Sequence, residues 1–150
     1  MNALVMKMTV KRFDALTTAE LYEILRCRAE VFVVEQDCVY QDVDGFDRQA
    51  SHLFFEEQGR ILSYVRVVDP GVKYPAASIT RVLTLPEARH RGLSTRLIQA
   101  GIELARTLSP TIAIEAQAYL REFYASFGFR PVSEEFLLDG IPHIRMQLDA

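Results

Sequence analysis

Between an apolar β-like run ending at Pro86 and an amphipathic helix over Leu93 to Leu108 stands the loop Arg89-His90-Arg91-Gly92-Leu93-Ser94. This strand-loop-helix unit constrains the fold more than any other stretch. A strand that turns directly into a helix must pack that helix back onto its own sheet, and Leu93, Leu97, Ile98, Ile102, Leu104 and Ala105 form the broad apolar stripe to do so. With glycine at its tight point, the loop aims several backbone N–H groups at one spot, beside the positive end of the helix dipole and with arginines alongside. That arrangement suits a pyrophosphate, although a surface turn with a basic rim has the same composition.

The remaining runs set the order of elements. Residues 5 to 13 alternate as a first strand, and Thr17 with Glu20 forms a capping-box signature ahead of Leu21, Ile24, Leu25 and Arg28 through Phe32 at helical spacing. The segment from Val33 to Gln49 has no sustained period and predicts a loop or broken helix. His52 to Glu57 and Arg60 to Val68 form a hairpin across Gln58-Gly59, and Phe136 to Leu138 meets Ile141 to Leu148 across Asp139-Gly140. Ile79 to Leu85 and Thr111 to Gln117 are strands; Tyr119 to Phe127 is a short helix closed by Gly128. Strands interleaved with helices predict an α/β (α+β) mixed sheet of about seven strands, covered by helices on both faces.

Composition narrows the function. Seventeen Lys and Arg against 20 Asp and Glu give a formal charge of −3, with no basic run to follow a nucleic-acid backbone. No segment approaches the roughly 20 apolar residues of a membrane span and no leader pattern opens the chain, so a cytoplasmic protein without membrane or nucleic-acid partners is expected. Cys27 and Cys38 lack the paired spacing of a zinc site, which predicts free thiols and no metal.

Two motifs carry a resemblance. Arg89-x-x-Gly92-x-Ser94, with the preceding Pro86, resembles the acyl-CoA signature of the GNAT N-acetyltransferase family, with Ser where that family has Gly or Ala. Gln117-x-x-Leu120-x-x-x-Tyr124-x-x-x-Gly128-Phe129 resembles its second signature, and falls one strand and one helix further on, as that fold requires. Arg28, Val31 through Gln36, Cys38, Tyr40, Asp44 and Asp139 through His143 are similar to the ElaA-like branch of the family.

The resemblance implies one GNAT domain over residues 1–150 that transfers an acetyl group from acetyl-CoA to a primary amine of a small molecule or protein, directly within a ternary complex. A non-catalytic acyl-CoA binder and an acyltransferase of the acyl-homoserine-lactone-synthase type are the alternatives, and a homodimer is an assembly the fold allows. The backbone of Val82, Leu83 and Thr84 would hold the pantetheine arm and thioester oxygen, while Arg89, His90, Arg91, Gly92, Leu93, Ser94 and Thr95 would cradle the pyrophosphate, with Gln117 beside them. The Ser94 hydroxyl is a candidate donor to a phosphate. Tyr124 corresponds to the tyrosine near the departing sulfur, and Phe123 is read as core. No carboxylate stands at Ser78, Ile79 or Thr80, where some relatives carry a base, so Glu115 on the next strand is the candidate. Glu35, Asp44 and His143 are candidates for the acceptor side, and Asp42, Asp44 and Asp47 otherwise read as solvated loop charge. His52 and His143 are both expected to be packed or hydrogen-bonded groups rather than catalytic ones.

Overall fold

The computed structural model describes residues 6–149. Its strands are β1 (Met8–Arg12), β2 (Ala50–Glu57), β3 (Arg60–Val68), β4 (Ala77–Thr84), β5 (Ile112–Gln117), β6 (Arg130–Pro131), β7 (Phe136–Leu138) and β8 (Ile141–Leu148); its α-helices are α1 (Thr18–Arg28), α2 (Leu93–Arg106) and α3 (Arg121–Ala125). The eight strands form one mixed sheet in the order β1-β2-β3-β4-β5-β8-β6, with β7 also on β8. The sequence predicts about seven; the additional one is the two-residue β6, too short to show a period.

Local chemistry fixes the element ends. Thr17 and Glu20 close a reciprocal capping box at 2.8 and 3.0 Å, which starts α1. Both two-residue hairpins have positive φ at their central residues, Gln58-Gly59 and Asp139-Gly140, the backbone twist that matches twisted strands. Beyond Arg28 the chain winds on as a π-helical turn, Ala29–Glu35, where the sequence predicts regular helix to Phe32 and then a loop or broken helix. Gln36 N–H reaches Val31 O and Cys38 N–H reaches Val33 O, both five residues back. Branched Val31, Val33 and Val34 crowd a tight helix at χ1, and a wider turn relieves them.

The two sheet faces are differently furnished. A Cβ added at Gly101 of α2 would lie 3.5 Å from Val67 and 3.7 Å from Ile79, so this helix packs closely on the apolar face. The opposite face carries His52, Tyr64 and Arg66, against which α1 brings Arg28. Arg28 and Arg66 are fully buried and share the Asp47 carboxylate; Arg28 also pairs with Asp42 and Arg66 with Asp44. The aspartates read as solvated charge are therefore the counter-ions of buried arginines. His52 is held at both ring nitrogens, by Tyr64 Oη at 2.6 Å and Asp47 O at 2.9 Å. A carbonyl only accepts, so Nε2 carries the proton and Nδ1 accepts from Tyr64.

Two features of β4 shape the cleft. Tyr64 pairs with Leu83 and Arg66 with Thr80, so Arg81 and Val82 together oppose the single residue Val65: a β-bulge. Arg81 occupies it at φ +56°. On its other edge β4 pairs with β5 only through Ala77↔Ile112 and Ser78↔Ala113, after which the strands part.

Burial raises the Asp44 and Asp47 carboxyls, yet the guanidiniums of Arg66 and Arg28 outweigh it and hold both below the ordinary carboxylate range. Their charge thus stabilises the fold above the unfolded carboxyl value of about 4 and that contribution is lost as pH falls below it. Asp47→Ala, which leaves two buried guanidiniums short of a partner, is expected to cost roughly 3–5 kcal/mol in urea unfolding at neutral pH. The gap from wild type should narrow in acid.

Candidate active site

The parted strands β4 and β5 open a cavity of about 730 Å³, bordered by residues 79–84 of β4 and by Ile114, Glu115 and Gln117 of β5. A smaller hollow of about 190 Å³ adjoins it at the start of α2 and is lined by Thr84, Ala88, Arg89, His90, Gly92, Leu93, Ser94 and Thr95. The expected cradle residues therefore converge, apart from Arg91, whose guanidinium donates to Glu87 O at the surface. His90 and Gly92 take positive φ, +68° and +74°, which swings the chain into the helix. No side chain caps α2 at Gly92, and the first helical bond runs from Arg96 N–H to Gly92 O. The N–H groups of the first turn thus face the hollow.

Arg89 is doubly engaged. Its Nε donates to Thr84 O at 2.9 Å, and its two terminal nitrogens reach the Glu35 carboxylate oxygens at 2.8 Å each. This bidentate bond ties the π-helical turn to the cradle and, with burial opposing it, holds the Glu35 carboxyl below its ordinary range.

Ser94 corrects an expectation. Ser63 Oγ donates to the Leu83 carbonyl, so in its 2.8 Å contact with Thr84 Oγ1 it must accept; Thr84 therefore donates to it and accepts from Ser94 at 2.6 Å. A hydroxyl has one proton. That of Ser94 is committed to Thr84 and is not free for a phosphate.

Tyr124 borders the cavity from α3, 7% exposed and edge-on to Phe123 and Phe129 at 5.2 and 6.2 Å. Its hydroxyl has no hydrogen-bond partner among the described residues, and burial pushes the phenol up, so it stays protonated at neutral pH. Phe123, expected in the core, also borders the cavity. Gln117 donates from Nε2 to Gln36 Oε1 at 3.2 Å, joining the second motif to the π-helical turn.

The cavity lining also takes in Gln36, Cys38, Tyr40, Asp139 and His143, and Glu35 beside the cradle through its bond to Arg89. Glu115 sits 3.9 Å from Lys73 Nζ. Asp44 lies outside this lining: its carboxylate is bound to Arg66 at 2.7 Å and Arg81 at 3.2 Å. Sequence reading missed Gln36 and Arg81. The run of branched residues inside a helix and the lone arginine in an apolar strand were the signals for them. Cys27 and Cys38 are both free, and among the described residues no group of three metal-ligating side chains is found.

The splayed sheet and the uncapped glycine loop define the class of acyl-CoA N-acyltransferases, and comparison with known proteins agrees. A family model described as an acetyltransferase (GNAT) domain matches residues 16–150, and the chain belongs to that family. Within it the chain is ElaA-like. The crystal structure of Escherichia coli ElaA superposes with a TM-score of 0.89 at 32% identity, covering 97% of this chain and 100% of that one. An acyl-CoA N-acyltransferase from Pseudomonas aeruginosa superposes at 0.90 with 39% identity, covering 95% and 99%. The UPF0039 protein sll0451 of Synechocystis is 40% identical over 139 residues, 91% of this chain and 90% of its own.

Ser94→Ala removes the donor to Thr84 and is expected to lower stability by about 1 kcal/mol in chemical unfolding. Thr84→Val, which breaks both links, should cost more.

Proposed function

We propose that residues 1–150 form one acetyl-CoA-dependent N-acetyltransferase domain that moves the acetyl group to a primary amine by direct transfer in a ternary complex. The carrying observation is the continuity of the cleft. The hollow at the uncapped start of α2 and the larger cavity share Thr84, Arg89, His90 and Ser94, and the larger one is also lined by Glu35, Glu115, Asp139 and His143.

Each part of the donor has a fitting counterpart. The first-turn N–H groups and His90 suit a pyrophosphate, with Gly92 keeping the loop open: nothing stands within 4 Å of a Cβ added there. Beyond Ser78 the cleft-facing edge of β4 lacks a strand partner, so main-chain groups at Val82 to Thr84 are available to an extended pantetheine arm and to the thioester oxygen. Bound acetyl-CoA supplies an activated acyl thioester. Tyr124, neutral and unpartnered, donates its proton to the sulfur as the C–S bond breaks. Glu115 and His143 stand on the acceptor side, where acidic side chains favour a cationic amine. The free thiols fit a reducing, cytoplasmic setting.

Coenzyme A tests the donor half. A ligand that binds the native state must raise its stability, so saturating coenzyme A is expected to raise the melting temperature, and no shift would remove the reading. Ser94→Gly is expected to keep that shift, because the Ser94 proton is already spoken for. Tyr124→Phe should lower kcat for amine acetylation by about 10²-fold while the coenzyme A shift persists; unchanged turnover would take Tyr124 out of the chemistry.

A further inference from the structure

Amine acetylation leaves one proton problem unsolved by Tyr124: a primary amine arrives as an ammonium ion and attacks only after losing a proton. Most titratable groups that line the cavity are already engaged. Both oxygens of Glu35 accept from Arg89, and Glu115 has Lys73 Nζ 3.9 Å away. The Tyr40 hydroxyl donates to Asp42, and the Cys38 thiol points to Asp139 O at 3.3 Å.

His143 differs. Its Nδ1 lies 2.7 Å from the Ile141 carbonyl, which can only accept, so Nδ1 carries the proton and the neutral ring keeps its lone pair on Nε2. Nε2 has no partner among the described residues. The ring is 9% exposed and stacked on Phe136 with centroids 6.2 Å apart and planes 28° from parallel, so its direction is set by packing. It borders the cavity, and strand register places it directly opposite Gln117, on the sheet face that Glu115 shares. The other candidate imidazole, His52, has both nitrogens occupied.

Resting on the transfer reading above, we propose that His143 is the general base, its Nε2 taking a proton from the ammonium group of the acceptor. The proton count closes. His143 removes one ammonium proton and releases it to solvent. As the C–N bond forms and the C–S bond breaks, nitrogen gives up a second, which balances the one the thiolate takes from Tyr124. The net release is one proton. Glu115 faces the Lys73 ammonium, whereas the lone pair on His143 Nε2 is unengaged among the described residues, which favours His143 over Glu115. The charged groups that share its surroundings are Glu115 on β5, Arg145 further along the same face of β8 and Asp139 in the turn; Phe136 on β7 is neutral. Arg145 is drawn aside over the Tyr74 ring at 5.0 Å.

The test uses acetyl-CoA with a panel of primary amines, including a polyamine, a lysine side-chain analogue and a dipeptide, and follows thiol release against pH. His143→Ala is expected to lower kcat by about 10²–10⁴-fold with KM for acetyl-CoA near wild type. Its rate should keep rising with pH where wild type levels off, and added imidazole should restore part of it. Coenzyme A should stabilise the variant as it does wild type, which separates lost chemistry from lost folding. An undiminished rate, or an unchanged pH profile with no rescue, overturns the role of His143. If Glu115→Gln instead takes the loss and moves the pH limb, the base is Glu115. A wild type stabilised by coenzyme A that acetylates none of the amines overturns the transfer reading and His143 with it; one that coenzyme A does not stabilise overturns the donor site first.

Discussion

The bulge at Arg81 is the constraint on which the cleft depends. Two residues of β4 against one of β3 bend the strand, and the bend carries β4 away from β5 after only two paired positions. Arg81 stays in the left-handed region without the freedom of glycine, at a cost of order 1–2 kcal/mol. Its side chain offsets that cost: Nε lies 2.9 Å from Asp42, Nη2 3.2 Å from Asp44, and the guanidinium sits 5.5 Å from the Tyr40 ring centroid. The same aspartates neutralise Arg28 and Arg66, so three arginines and three aspartates form one closed network. Buried ion pairs seldom add stability over well-packed apolar groups. What this one does is positional: it pins the segment after α1 to the bulge.

The donor side is held by smaller means. The Ser63–Thr84–Ser94 hydroxyl relay runs from β3 through the end of β4 into the first turn of α2, fixing the start of the helix against the strand that precedes it. A glycine at position 94 would give a phosphate more clearance and lose that link. Arg89 then bridges the loop to Glu35, 54 residues away in sequence. Both ends of the cleft are therefore fastened to the π-helical turn, through Glu35 at the cradle and Gln36 at Gln117.

How much of this was legible in the chain follows from which interactions are local. The capping box at Thr17, both positive-φ hairpins and the glycine at the start of α2 are decided within a few residues, and each stands where the sequence puts it. The convergence of Arg89 to Thr95 on one hollow was legible for the same reason, since one turn builds it. Asp42, Asp44 and Asp47 were misleading because their partners lie on α1, β3 and β4, and a charge in an aperiodic segment reads as solvated unless its counter-ion is known. The π-helical turn hid behind its own composition, since branched residues without a period look like loop. Ser94 was read by what a hydroxyl can do; where its proton goes depends on Ser63, 31 positions earlier.

The acid and base roles proposed above rest on a contrast of surroundings between two groups that line the same cavity. Tyr124 is enclosed by Phe123 and Phe129 with no cation acting on it among the described residues, and burial there disfavours the phenolate, so the group is kept protonated. His143 is fixed the other way, by a carbonyl that claims the Nδ1 proton and leaves Nε2 as an acceptor. Of the two, Tyr124 is left to give a proton and His143, in its neutral form, to take one. Paired groups with opposed environments are how one site runs both halves of a proton transfer at a single pH. The two groups come from different motifs, Tyr124 within the Gln117 to Phe129 signature and His143 at the start of β8, and the Gln117↔His143 pairing of β5 with β8 brings those motifs together.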